Sequence, residues 1–425
     1  MQSYLEMTQA QLREELRSVS EEYSELKALG KNLDMSRGKP NPMQLDLSSD
    51  LFAQPFAELT HTQKGADTRN YGELAGIDEC RQLFADLLSL EAKNIIVGGQ
   101  SSLCMMYDTV AKALLLGVCG GSKPWSQQGQ IKFLCPVPGY DRHFAICQEF
   151  GIEMINIPMT DEGPDMDEVR RYVESDPQVK GIWCVPKYSN PSGITYSDDT
   201  VRAFAALRPA ADDFRIFWDN AYIVHDLVPD GDRLLNIFDA CREQGTENMV
   251  YEFCSTSKVT FAGAGIAAMA ASEENVKFLL RQMGIQTIGY DKINQLRHVK
   301  FFRDAEGVRQ HMSRHAALLK PKFDCVLENL ERELAPRAIG QWYAPKGGYF
   351  VAYRGLPGTA TRCVDLCKQA GLTLTPAGAP FPYGIDPDDS TIRIAPSYPD
   401  VPSLEDAMRL FCVAERMAAL EKLLD

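Results

Sequence analysis

The chain lacks a C-x-x-C pair, an uninterrupted apolar run of about eighteen residues, and any excess of basic charge. Each absence closes off a class of protein. The twelve cysteines are scattered singly, which fits reduced, mostly buried thiols and argues against a disulfide scaffold or a zinc cluster. No segment is a candidate membrane span, and Glu6, Glu14 and Glu15 stand where a secretory signal would place basic and then apolar residues, so a cytoplasmic protein is expected. Asp plus Glu number 58 against 44 Lys plus Arg, a net charge of −14 that disfavours a diffuse grip on nucleic-acid phosphates or anionic membrane. Small molecules remain as partners. There is no internal repeat, no low-complexity tract and no H-E-x-x-H motif. His311 and His315 have the helical spacing of a metal pair, but with no supporting acid or cysteine cluster they read as an exposed helix face.

What is present is enough for a large enzyme of two or three domains. At 425 residues and 45% hydrophobic, such a chain buries roughly three quarters of its extended surface. Leu12, Leu16, Val19, Tyr23 and Leu26 recur at spacings of three and four, predicting an amphipathic helix that ends near Gly30. The Pro/Gly-rich passage from Ser36 to Pro42 cannot continue it and is a loop. From Asn94 to Ala271, short apolar runs alternate with helical periodicity. The runs are 95–97, 131–135, 181–185, 215–218, 249–254 and 265–270. That alternation predicts a largely parallel sheet flanked by helices, with ligands beyond the carboxyl ends of the strands. After residue 300 a long helical stretch to Leu334, strand-like pieces at 349–353 and 391–395, and a final helix from Ser403 to Leu424 predict a second, smaller α+β domain.

Chemistry concentrates at the ends of the apolar runs. Lys258 is the only charged residue between Phe253 and Ser272. An ammonium among small and apolar groups loses hydration, which lowers its pKa and exposes the neutral amine needed for a Schiff base; a lysine laying its stem on apolar surface fits the same pattern. Asp219 and Tyr222 follow the run ending at Trp218, where a carboxylate can hold a protonated ring nitrogen or cap the next helix. Gly98, Gly99, Ser101 and Ser102 precede a helix, an arrangement that suits a phosphate cradle or an ordinary N-cap, and which is neither a P-loop nor a dinucleotide turn. Tyr140, on a Pro-constrained loop, offers a stacking surface or a core ring. Asn190, before Pro191, offers an amide or a turn. Arg393 is alone in an apolar strand and needs a carboxylate, from the protein or from a substrate.

In this order, Ser101-Ser102, Tyr140, Asn190-Pro191-x-Gly193, Asp219-x-x-Tyr222, Ser255-x-Ser257-Lys258 and Arg393 resemble the class I/II aminotransferases of fold type I, over nearly the whole chain. Ser36 to Pro40, Lys258 to Gly265, Gly289 to His298 and Arg393 to Tyr398 resemble the type Ic aspartate aminotransferases in particular. The resemblance implies an α/β fold with a mainly parallel seven-stranded sheet. It also implies three units, an N-terminal arm 1–50, a large domain 51–300 and a small domain 301–425. Pyridoxal 5′-phosphate is the implied cofactor, with Lys258 as Schiff base and proton shuttle and Asp219 holding the ring nitrogen. Asn190 and Tyr222 would take the ring oxygen, Tyr140 would stack on the ring, and Ser101, Ser102, Ser255 and Ser257 would surround the phosphate. Arg393, helped by Gly38 and Asn190, would bind the substrate α-carboxylate. Tyr71 would reach a partner's phosphate in a homodimer with shared active sites. One departure stands out, since Ala264, Gly265 and Ile266 occupy the stretch where many relatives carry a phosphate-binding arginine.

The implied reaction transfers the amino group of aspartate or glutamate to a 2-oxo acid such as 2-oxoglutarate. Alanine, 2-aminoadipate or an aromatic amino acid are alternative substrates, and a lyase on the same fold is an alternative reaction. A non-enzymatic regulator is the remote reading, since no basic helix-turn-helix module precedes Gly38. A dicarboxylate needs a second cation, for which Arg37, Lys39, Lys292 and Arg297 are the candidates.

Overall fold

The computed structural model describes residues 2–425. The first half runs α1 (Gln9–Ala28), β1 (Leu33–Asp34), α2 (Pro42–Asp46), α3 (Asp78–Leu88), β2 (Ile95–Val97), α4 (Ser102–Leu116), β3 (Lys132–Val137), α5 (Asp141–Glu149), β4 (Glu153–Thr160), β5 (Gly163–Pro164), α6 (Met166–Ser175), β6 (Val179–Cys184) and α7 (Asp198–Ala205). Next come β7 (Arg215–Asp219), α8 (Ile237–Gln244), β8 (Val250–Ser255), β9 (Ala267–Ala271), α9 (Glu273–Gln286), α10 (Lys292–Phe302) and α11 (Ala305–Glu333). The chain closes with β10 (Gly340–Trp342), β11 (Val351–Gly355), α12 (Ala360–Gln369), β12 (Leu372–Thr373), β13 (Thr391–Ile394) and α13 (Val401–Leu424).

The central sheet has the order β2-β9-β8-β7-β6-β3-β4-β5. Its middle is parallel from β8 through β4, while β9 runs against both β8 and β2. Seven strands were expected; the eighth, β5, is a two-residue antiparallel edge piece folded back on β4. β6 and β7 are buried along their whole length because apolar layers cover both faces. Alternate residues divide between the layers: Ile216 and Trp218 pack on one side, Phe217 on the other. β4, nearer the edge, is buried only at Met154 and Ile157, so it shows no continuous apolar run.

The N-terminal arm and the C-terminal elements share a third core. Tyr4, Leu12, Val19 and Tyr23 are buried with Leu404, Phe411 and Leu420 of α13, and full burial of each such side chain contributes roughly 1.5–3 kcal/mol. α1 starts with a capping box, in which the Thr8 backbone N–H donates to Gln11 Oε1 at 2.8 Å and Gln11 N–H donates back to the Thr8 hydroxyl. β1 pairs in parallel with β12, and β10, β11 and β13 form an antiparallel sheet beneath α13. Between this layer and the carboxyl ends of β6 and β7 lies a cavity of about 790 Å³.

Candidate active site

Lys258 projects from the segment joining β8 to β9. That segment is a tight turn, with Val259 and Thr260 N–H both donating to Thr256 O and Thr256 N–H to Ile266 O at 2.8 Å. Asn294 Nδ2 donates to the carbonyls of Ala264 and Gly265, holding the stretch from which the arginine is missing. Lys258 Nζ lies 4.9 Å from the centre of the Tyr222 ring and 5.9 Å from that of Tyr349. Burial lowers its pKa and the Asp219 carboxylate partly opposes that shift, so the amine gives up its proton more easily than a solvated lysine.

Asp219 ends β7 and is 3% exposed. His143 Nε2 sits 3.0 Å from its Oδ2, and that imidazole stacks on Trp183 at 4.4 Å. Oδ1 is buried without a protein partner, an acceptor that needs a donor from elsewhere. Tyr140 caps the start of α5, and burial, then the charge of Asp219, pushes its hydroxyl up to about 12. Tyr222 is raised further for the same leading reason, so both phenols stay protonated donors.

Arg393, on β13, faces the same cavity. Its Nη1 donates to Asp141 Oδ1 at 3.0 Å and reaches Asn190 Oδ1 at 3.4 Å, while Nη2 donates to Thr375 Oγ1 at 3.3 Å. Phe350 lies under the guanidinium, 5.0 Å from its ring centre. The same ring explains Gly38, where a Cβ would stand 2.3 Å from Phe350 Cζ.

The cavity therefore gathers Gly38, Tyr140, Asn190, Tyr222, Lys258 and Arg393, from segments far apart in the chain. It adds residues that local sequence did not single out: Asp141 and Arg142 beside Tyr140, Thr375, Phe350, and Lys368 on α12. Of the four expected distal cations only Arg37 lines it. Lys39 lies over the Tyr398 ring, Lys292 donates to Gly72 O, and Arg297 covers Phe52. Ser101, Ser102, Ser255 and Ser257 are not among the lining residues, but they sit together beside it. Ser255 and Ser257 hydroxyls are bonded at 3.1 Å, Ser257 Oγ donates to Gln100 O, and the Ser101 side chain makes no cap bond to α4. Tyr71 stands apart, 82% exposed.

The reading of His311 and His315 as an exposed face is overturned. Both are buried, because this side of α11 packs against α2 and the Lys258 segment. His311 donates to Val259 O at 2.8 Å, and Gln44 Nε2 bonds both His315 and the Tyr349 hydroxyl. Among the described residues no cluster suited to a metal is found. Burial lowers His311 to about 4 and His315 to about 3, against about 6.5 in an unfolded chain. Below pH 6.5 the unfolded chain binds more protons than the folded one, so stability should fall progressively from there to about pH 3. Urea midpoints at pH 6.5 and 4 test this. His315→Asn should lose less over that interval than the wild type, and equal losses would count against it.

Comparison with known proteins gives a consistent pattern. The family model described as aspartate amino-transferase matches residues 7–425. A putative aminotransferase of Mycolicibacterium smegmatis is 48% identical over 404 residues, 95% of this chain and 94% of the relative. An aspartate aminotransferase of Corynebacterium glutamicum is 44% identical over 403 residues, 95% of this chain and 93% of that one. The crystal structure of an aspartate transaminase from C. glutamicum superposes with a TM-score of 0.97 at 42% identity, covering 99% of each chain. The α-aminoadipate aminotransferase of Thermus thermophilus, complexed with N-(5′-phosphopyridoxyl)-L-leucine, superposes at 0.71 with 20% identity over 92% of this chain and 93% of its own, a likeness of fold alone.

Proposed function

Because the chain belongs to the aspartate amino-transferase family and is an aminotransferase, we propose that it moves the amino group of aspartate or glutamate to a 2-oxo acid such as 2-oxoglutarate. The sequence is ping-pong and the cofactor is pyridoxal 5′-phosphate. One observation carries this reading: a lysine amine depressed by burial and an arginine fork line the same cavity.

The residues suit that cofactor. Asp219 keeps one buried oxygen without a partner, the acceptor that a protonated ring nitrogen requires. Tyr140 offers a ring face, Asn190 and Tyr222 offer donors to a ring oxygen, and the serines at 101, 102, 255 and 257 with the first amides of α4 offer a phosphate cradle. Pyridoxal 5′-phosphate supplies a protonatable conjugated ring that takes up the electron pair freed when a bond at the substrate Cα breaks. Lys258 Nζ would tether the cofactor and, as a free amine, would take and return the proton at the substrate Cα. Burial depresses its pKa, so the amine gives up its proton more readily than a solvated lysine. His143 holds Asp219 in place through Oδ2, leaving Oδ1 for the ring. Arg393 fixes the α-carboxylate and so the face of Cα turned toward Lys258.

Aspartate's second carboxylate calls for another cation, and Arg37 and Arg142 line the cavity. Arg37→Ala and Arg142→Ala should each raise KM for aspartate about tenfold or more, the worth of a charged hydrogen bond, and leave KM for alanine nearly unchanged. Equal effects on both amino acids would remove that residue from the dicarboxylate site. The exposed ring of Tyr71 suits a second copy of the chain, in a homodimer whose active sites are shared. Cavity-lining residues come from all three ranges 1–50, 51–300 and 301–425, so the site forms where these three units meet. Ten of the twelve free cysteines are buried, consistent with the cytoplasm. Absorbance-monitored half-reactions with a panel of amino acids test the assignment. Aspartate and glutamate should convert the bound cofactor fastest, and a clear preference for a monocarboxylic amino acid would replace the substrate named here.

A further inference from the structure

Arg393 already carries a carboxylate. Asp141 is its one ion-pair partner among the described residues, bonded through Nη1 at 3.0 Å, while Nε is buried with no partner at all. The two members of the pair are unequal. Arg393 is 8% exposed and enclosed by Phe350, Asn190 and Thr375, so its charge needs a counter-ion at all times. The Asp141 side chain is 36% exposed, lines the cavity and opens the nine-residue helix α5, whose dipole favours a carboxylate there even when the arginine is released. A substrate's α-carboxylate seeks the same guanidinium, and two carboxylates on one Nη1 repel each other.

We infer that Asp141 is an internal competitor for the substrate's α-carboxylate: it occupies the Arg393 fork in the empty enzyme and yields Nη1 when substrate binds, so that it sets substrate affinity. This rests on the reading of Arg393 as the α-carboxylate site. The competitor keeps a buried guanidinium neutralised between turnovers and weakens the hold on substrate and product alike, which favours release. Its burden is heavier for a dicarboxylate, because the displaced Asp141 stays in the cavity close to the second negative charge.

The test is a binding measurement on cofactor-loaded enzyme with two carboxylates that cannot react, maleate and propionate, followed by calorimetry and by cofactor absorbance. Asp141→Asn keeps the side-chain shape and removes the charge. It should bind both probes about tenfold more tightly than the wild type, with the larger gain for maleate. Unchanged or weaker binding of both by Asp141→Asn would overturn the inference and leave Asp141 as a strut that only orients Arg393. Asp141→Ser, with a thermal melt of each variant, guards against a folding defect, since a damaged site does not gain affinity. The wild type's preference for maleate over propionate tests the dicarboxylate reading, whereas the ratio of variant to wild type tests Asp141, so the two fail separately.

Discussion

Replacing Lys258 by alanine should lower turnover by about 10⁴-fold or more, because one residue supplies both the tether and the base that moves the Cα proton. The fold should survive, since Lys258 sits in a turn held by backbone bonds from Thr256 to Ile266 and by Asn294, none of which uses its side chain. The purified variant should lose the pH-sensitive near-visible absorbance of the wild type, and borohydride should no longer fix the cofactor at this position. The wild type should show an acid limb in kcat, which reports the substrate-bound enzyme, where Nζ is a free amine. Protonated Nζ is inactive, the neutral form grows as pH rises, and burial puts the midpoint below the ordinary lysine value of about 10.4. A variant that retains more than a few percent of wild-type turnover would remove Lys258 from the centre of the mechanism.

Asp219→Asn should be the second most damaging change, lowering kcat by about 10²–10³-fold while KM moves little, the pattern expected when a preorganised charge acts on the reacting group and not on substrate binding. The shape of the side chain and its contact with His143 at 3.0 Å are kept, so the loss reports the missing charge. A second readout follows from the same electrostatics. Asp219 is the group that opposes the downward shift of Lys258, so its neutralisation should move the acid limb to lower pH still. An unchanged limb would mean that the two charges are not coupled as their positions require.

Much of the site was legible because its chemistry is written into local contrasts. One lysine in a twenty-residue apolar stretch, one arginine in an apolar strand and one aspartate at the end of a buried run each break a pattern, and a broken pattern is visible without coordinates. The partnerships between them were not visible. His143 meets Asp219 across 76 residues, and Asp141 meets Arg393 across 252, distances over which no spacing rule operates. Arg142 looks like any basic residue at the start of a surface helix until the fold turns it into the cavity. The same limit explains the misread histidines: helical spacing placed His311 and His315 on one face of α11, but only packing shows that this face is covered. In the fold, β6 and β7 were plain because both faces are buried, whereas β4 buries only Met154 and Ile157, and β1, β10 and β12 are two or three residues long, too short for any periodicity.

The pairing of Leu33 and Asp34 with Leu372 and Thr373 sets a timetable for synthesis. About 340 residues separate the two strands, which at ~5–20 residues per second is roughly twenty seconds to over a minute on the ribosome. Through that interval Leu12, Val19 and Tyr23 have no C-terminal helix to lie against. An early segment is thus seated late, and through that interval the nascent chain carries an amphipathic arm whose apolar face is uncovered.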